Sequence, residues 1–244
     1  MSPAGSAVVH PRPASTVIAV RPAAGGVETL LVRRDRSARF MAGARVFPGG
    51  SVDDADRGAT AARVVRWSGD AEELPWRAAA LRELSEEAGI ALTRPELDGP
   101  LPEGEALFYA LTELGAMFDA DRLHYLSNWI TPAGLPKRFD TRFFVAAVPA
   151  DASARTDDVE VFEPEWVRPS VALDRTAGGQ WLIELPTRVH LELLADLGDV
   201  NAILAHAAAA KPQPIEPVLV SEPDGTIRVV VPGSPSRSDT VVGG

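Results

Sequence analysis

Short runs of alternating apolar and polar residues open the patterned part of the chain. Residues 17–20 and 29–33 read as two strands joined through Gly25-Gly26, a hairpin signal. Residues 45–47 predict a short third strand that runs into Gly49-Gly50. The period then changes. Over 76–88 the apolar positions recur at helical spacing: at about 100° per residue, Leu81, Leu84 and Ala88 share one sector. Glu83, Glu86 and Glu87 share another, roughly opposite. Gly89 stands where a left-handed C-cap is expected, Asp70 or Ser68 can cap the start, and Pro75 suits the first turn.

Further along, 105–118 predicts a helix, and 127–131 and 142–148 predict strands. Leu191, Leu194 and Leu197, with Gly198 as a break, predict one or two helices over 184–210. Residues 217–221 and 226–231 flank Glu222-Pro223-Asp224-Gly225, a strong turn signal, and predict a C-terminal hairpin. That hairpin either covers its own chain or pairs with a second copy, which leaves a homodimer open. Packing within the chain is the favoured reading.

Composition narrows the setting. The 244 residues fit one large domain, or one with insertions, expected over 15–232. Flexible tails are expected over 1–14, rich in Pro, Ala and Ser, and over 233–244. At 45% hydrophobic and 24% charged the chain can bury a core. No apolar run is long enough to span a membrane, and the first residues lack a signal pattern, so a cytoplasmic location is expected. The absence of cysteine excludes disulfides, thiol catalysis and Cys-zinc sites. A net charge of −10 argues against general nucleic-acid binding. An anionic substrate must then be met by local positive charge or by metal.

The acidic face of helix 76–88 is the candidate chemistry. Three like charges at i, i+3 and i+4 repel, and only Arg82, four residues before Glu86, offsets them. A hard divalent cation would remove the repulsion: Mg²⁺ takes oxygen ligands from a few carboxylates and leaves the remaining positions to phosphate and water. The competing reading is a solvated acidic face, and helix spacing alone does not decide. The histidines, His10, His124, His190 and His206, lack a ligand spacing. No G-x-S-x-G elbow or P-loop is present. Trp129 and Trp181 read first as core residues and second as base-stacking surfaces.

The string Arg82-Glu83-Leu84-Ser85-Glu86-Glu87-Ala88-Gly89-Ile90, preceded by Phe47-Pro48-Gly49-Gly50, resembles the Nudix box, G-x5-E-x7-R-E-U-x-E-E-x-G-U with U aliphatic. Arg82 stands 32 residues after Gly50 where the pattern has 14, so the box is split by an insertion of 18 residues within 51–72, expected to be helical around 59–67. The pattern's first acid falls on Asp56 counted from Gly50. Counted back from Arg82 it falls on Leu74, next to Glu73, and Glu73 is preferred. The long insert, with residues 40–53, Trp129-Ile130-Thr131-Pro132 and 138–144, resembles the peroxisomal coenzyme A diphosphatase subfamily.

This resemblance implies an α/β (α+β) Nudix fold, a mixed sheet sandwiched between helices, with the helical insertion and the C-terminal hairpin. It implies hydrolysis of a diphosphate linkage in a nucleoside diphosphate-linked small molecule, such as coenzyme A or acyl-coenzyme A. The alternatives are pyrophosphatase activity on ADP-ribose, NADH, a dinucleotide or a nucleoside triphosphate, or a non-catalytic nucleotide sensor. Mg²⁺ or Mn²⁺ is the implied cofactor, held by Glu83, Glu86 and Glu87 with the Gly49 carbonyl, while Arg82 holds a box glutamate. Among the arginines ahead of the box (Arg33, Arg34, Arg36, Arg39 and Arg45), Arg33 and Arg45 are the expected phosphate contacts. For the catalytic acid outside the box, Glu163 leads and Glu160 follows; failing these, Glu86 or Glu87 is the base.

Overall fold

A computed structural model of the chain describes residues 9–35, 42–97, 99–156 and 161–238. In chain order these form β1 (Arg12–Ala23), β2 (Gly26–Arg34), β3 (Arg45–Val46), β4 (Gly49–Ser51), α1 (Ala59–Val64), β5 (Val65–Arg66), α2 (Leu74–Ala88), β6 (Thr93–Arg94) and α3 (Glu105–Glu113). There follow β7 (Met117–Asp119), β8 (His124–Ile130), β9 (Phe139–Ala147), β10 (Val161–Val167), α4 (Pro169–Ala177), α5 (Leu185–Leu197), α6 (Val200–Ala209), β11 (Pro214–Ile215), β12 (Val218–Ser221), β13 (Ile227–Val231) and β14 (Ser234–Ser238).

The main sheet is mixed, in the order β10-β2-β1-β9-β8-β11, with β3 paired to β2 and β4 to β1. The predicted hairpin is there, Val20 opposite Thr29, and β1 runs parallel to β9 with Val17 opposite Phe144. Period-two alternation sorts the side chains between two layers. Val17, Ala19, Leu30 and Phe144 join the core under α1, α2 and α3. Ile18, Val20, Leu31 and Val145 join the core under α4, α5 and α6. A strand covered on both faces has no solvated side, so β1 reads as a nearly continuous apolar run. Each fully buried Val, Leu, Ile or Phe contributes roughly 1.5–3 kcal/mol. The sheet sandwiched between helices is therefore as expected.

Several boundaries differ from the sequence reading. The loose tail expected over 1–14 gives way by Arg12, because residues 12–14 already pair with Phe139, Asp140 and Thr141 of β9. At the other end Ser234–Ser238 pairs with β13 instead of belonging to a tail over 233–244. The helix expected around 59–67 ends at Val64, since Val65 and Arg66 pair with Phe118 and Asp119 of β7. The helix expected over 105–118 stops at Glu113. Gly115, at φ 63°, turns the chain, and Phe118 enters the core beside Phe108 as part of β7. The two helices over 184–210 break at Gly198 as read. The terminal hairpin β12–β13 packs within the chain, with Val229 and Val231 against the second core. Strand β10, helix α4 and strands β11 and β14 had no clear sequence signal.

Candidate active site

Helix α2 carries the acids, and its ends form as the residues dictate. Pro75 sits in the first turn and Gly89 closes the helix at φ 65°. Asp70 caps the single 3-10 turn ahead of α2 by accepting from the Glu72 N–H, while Ser68 instead pairs with Asp121. Leu81, Leu84 and Ala88 are completely buried, as the wheel required. The opposite face does not look into open solvent. It lies against β4 and the turn at Ala55–Arg57, so Arg82 is only 4% exposed.

Arg82 is the hub. Its Nε and Nη2 donate to Asp56 Oδ1 and Oδ2, both at 2.9 Å. Its Nη1 donates to Glu83 Oε1 and to Glu86 Oε2, again at 2.9 Å, and Nη2 also reaches the Ser51 carbonyl at 3.1 Å. Asp56 is buried and accepts from the Asp53 N–H at 2.8 Å. The second oxygen of Glu86 accepts from the Gly104 N–H at 2.6 Å, and Glu87 Oε2 accepts from the Gly49 N–H at 2.8 Å. The Gly-Gly pair is a steric requirement. A Cβ on Gly50 would stand 2.4 Å from Glu83 Oε1, and one on Gly49 2.3 Å from the Ser15 carbonyl oxygen.

One guanidinium among so many carboxylates leaves negative charge in excess. Burial, with repulsion from Glu86 and Asp56 against the pull of Arg82, pushes Glu83 up to about 7. Burial also raises Glu86. Burial on its own would lower Arg82, but Asp56, Glu83 and Glu86 overcome it and raise that group. An excess of half-buried carboxylate oxygen suits a hard divalent cation. As placed, however, the acids are turned toward Arg82 and toward backbone N–H groups. Among the described residues no three His, Cys, Asp or Glu side chains already converge on one point.

A second cluster lies at the other end of the segment 45–50. Arg33 and Arg45 sit side by side on the paired strands β2 and β3. Arg33 Nη2 donates to Glu163 Oε1 at 2.9 Å and Arg45 Nη2 to Glu163 Oε2 at 2.8 Å, while Arg45 Nη1 donates to the Glu163 carbonyl. Hydrogen bonding to Glu163 raises Arg33, and burial lowers Arg45. Trp181 lies against both Arg45, at 4.9 Å, and Arg175, at 4.7 Å.

The residues read from sequence thus fall into two groups. Arg82, Glu83, Glu86, Glu87 and Gly49 come together around α2, and Arg33, Arg45 and Glu163 come together beside β3. Glu160, Arg36 and Arg39 lie outside the described residues. The preference for Glu73 as the first box acid is corrected. Glu73 pairs with Arg77 at 2.8 Å, and Arg77 also donates to the carbonyls of Ala120 and Leu123, whereas Asp56 is the acid on Arg82. Counting from Gly50 already pointed to Asp56; what the sequence hid is that the insertion follows this turn rather than preceding it. Trp129 is a core residue, as first read. Among the described residues no histidine has a hydrogen bond to the acid cluster; buried His190 instead lies 2.7 Å from Ser127 Oγ. No helix among them is long and apolar enough to cross a membrane.

Comparisons with known proteins find relatives of the same fold. A solved NUDIX hydrolase from Alicyclobacillus acidocaldarius superposes with a TM-score of 0.72 at 28% identity, covering 80% of this chain and 96% of that one. The acyl-coenzyme A diphosphatase NUDT19 of Homo sapiens is 26% identical over 270 residues, spanning 86% of this chain and 72% of that protein. A Caenorhabditis elegans protein that carries the provisional name nudix hydrolase 7 is 28% identical over 201 residues. That match takes in 78% of this chain but only 64% of the worm protein's length. No protein-family model matches the chain.

Proposed function

The chain belongs to the Nudix hydrolase superfamily, and from that premise we propose that it is a divalent-cation-dependent diphosphatase acting on a nucleoside diphosphate derivative, with coenzyme A or acyl-coenzyme A as the leading substrate. The observation that carries this reading is the Arg82 hub: one buried guanidinium holding Asp56, Glu83 and Glu86 beside a glycine loop that also binds Glu87. The human relative's name supports the choice of substrate.

In this reading Glu83, Glu86 and Glu87 would hold Mg²⁺ or Mn²⁺ together with the Gly49 carbonyl, whose own N–H already anchors Glu87. Bound there, the cation supplies Lewis-acid polarisation of the diphosphate and a lowered pKa for water. Arg82 orients Glu83 and Glu86 from behind, and Asp56 orients Arg82 through two parallel hydrogen bonds. Glu86 or Glu87 would take the proton of the attacking water. Gly49 and Gly50 let the loop approach α2 closely enough for all of these contacts.

The test is a hydrolysis screen of the purified protein with Mg²⁺ and with Mn²⁺, with products read by mass spectrometry. Coenzyme A should give 4′-phosphopantetheine and 3′,5′-ADP. Release of AMP from ADP-ribose or NADH, or hydrolysis of a dinucleotide or nucleoside triphosphate, would keep the enzyme and change the substrate. Nucleotide binding without turnover of any member would replace the enzyme with a sensor.

A further inference from the structure

Glu163 lies in a place that a catalytic acid does not require. Its carboxylate spans two guanidiniums, one oxygen to each, and both partners are recessed: the Arg33 and Arg45 side chains are 16% and 8% exposed, against 55% for Glu163. The arginines are fixed. Arg45 is paired in β3, donates its N–H to the Leu182 carbonyl and stacks on Trp181. Arg33 is paired in β2 and lies over Phe162. Glu163 sits at the register break between Phe162 and Glu165 in β10, and among the described residues it is the non-glycine residue with positive φ, at 49°. That left-handed conformation is unfavourable for a residue with a Cβ and persists only where its surroundings impose it. The anion is thus the exposed, strained member of the trio.

The charge balance says what could take its place. Among the described residues the guanidiniums of Arg33 and Arg45 pair with Glu163 and that of Arg175 with Glu165, and Arg45 and Arg175 both lie over Trp181. Asp35 acts on Arg33 more weakly than Glu163 does. If Glu163 swings into solvent, Arg33 and Arg45 are left facing outward together. Two fixed guanidiniums suit a phosphate monoester dianion better than they suit one carboxylate, because phosphate brings a second charge and a third acceptor oxygen.

We propose that Arg33 and Arg45 form an anion subsite for a phosphate monoester that the nucleotide carries in addition to its diphosphate, and that the Glu163 carboxylate is the resident surrogate which this phosphate displaces. The proposal rests on the diphosphatase reading for the other half of the ligand. The four steps along the chain from Arg45 to Gly49 extend at most about 14 Å, so the subsite is within reach of a nucleotide whose diphosphate lies at the Arg82 hub. Glu163 then acts as a specificity element. Ligands with the extra phosphate displace it, and ligands without it leave the ion pairs intact.

Calorimetric titration of the full chain with 3′,5′-ADP and with 5′-AMP, in Mg²⁺, tests this. The wild type should prefer 3′,5′-ADP. Glu163→Gln should tighten 3′,5′-ADP by about tenfold, with little change for 5′-AMP. Glu163→Gly should do the same, and glycine accepts φ 49° without strain, so the bulge is kept. Arg33→Gln should erase the preference. In turnover assays KM for the phosphate-bearing substrate should fall in Glu163→Gln. Equal binding of the two nucleotides by the wild type, or weaker 3′,5′-ADP binding in both Glu163 variants, overturns the subsite. So does a kcat loss of about 100-fold at constant KM in Glu163→Gln, which would make Glu163 a catalytic acid. A preference for 3′,5′-ADP without turnover of any nucleotide would keep the subsite and sink the hydrolase. Turnover without the preference would sink the subsite alone.

Discussion

Two ion-pair networks stand at the ends of the segment 45–50, one gathered on a cation and the other on an anion. Around Arg82 a single buried cation holds Asp56, Glu83 and Glu86, with Glu87 alongside on the Gly49 N–H. Around Glu163 one exposed carboxylate holds both Arg33 and Arg45, with Asp35 acting on Arg33 more weakly. The Arg77–Glu73 pair shows what a neutral pair looks like in this fold: one cation, one acid, and two backbone carbonyls filling the remaining donors. A network built only for stability has little reason to keep leftover buried charge, because each uncompensated charge is costly. The acid-rich network suits a cation and the paired arginines a phosphate, so a nucleotide with a metal-chelated diphosphate and a separate phosphate monoester would draw on both.

The largest test of the comparison removes negative charge from the first network. Glu86→Gln with Glu87→Gln should cut turnover by roughly 10³-fold or more while circular dichroism shows the fold retained. The same variant should raise the thermal midpoint of the metal-free protein, since repulsion is relieved. Retained turnover would sink the metal assignment. Next, Arg82→Met strips the hub of its cation and should cost about 3–5 kcal/mol in urea unfolding, part of it recovered by Mg²⁺. A loss below about 1 kcal/mol would mean that the acids do not strain the metal-free fold. Gly50→Ala pushes on Glu83, whose oxygen lies where the Cβ must go. A displacement near 1 Å should cost about 10²-fold in kcat/KM.

Smaller effects sharpen the contrast with ordinary pairing. Glu73→Gln should lower stability by about 1 kcal/mol and leave turnover as it is, because this acid serves Arg77 and not the site. A loss of turnover of about 10²-fold in Glu73→Gln would return this acid to the site. The smallest effect is one of pH. Burial raises Glu184 from its ordinary value of 4.5, with Arg34 opposing. Above pH 4.5 the folded chain therefore retains a proton that the unfolded chain releases, and stability falls as pH rises through the shifted value. Glu184→Gln should flatten that slope in denaturation curves taken across acidic to neutral pH. An unchanged slope would show that this carboxylate is not the source.

Much of the fold was legible because burial on both faces leaves a strong imprint. The hairpin at Gly25-Gly26, the helix ending at Gly89 and the pair of helices broken at Gly198 all follow from periodicity and glycine position. What escaped was short or depended on partners. Val65–Arg66, Thr93–Arg94 and Met117–Asp119 are strands only because they meet in one small sheet, and two or three residues carry no period of their own. β10 gave no clear sequence signal because a break in register at Glu163 interrupts its pattern.

The sequence by itself determined the acid helix, its glycine stop, the glycine loop ahead of it and a negative charge that called for a cation. These depend on residue type and on spacing along one element. Only the tertiary structure decided which acid belongs to Arg82 and which to Arg77, and that Glu163 sits on the arginines and not on the acid helix. The Arg82–Asp56 and Arg45–Glu163 contacts join residues 26 and 118 positions apart, set by how the insertion and β10 pack against the sheet. Charge complementarity then selects among neighbours that the chain order does not reveal.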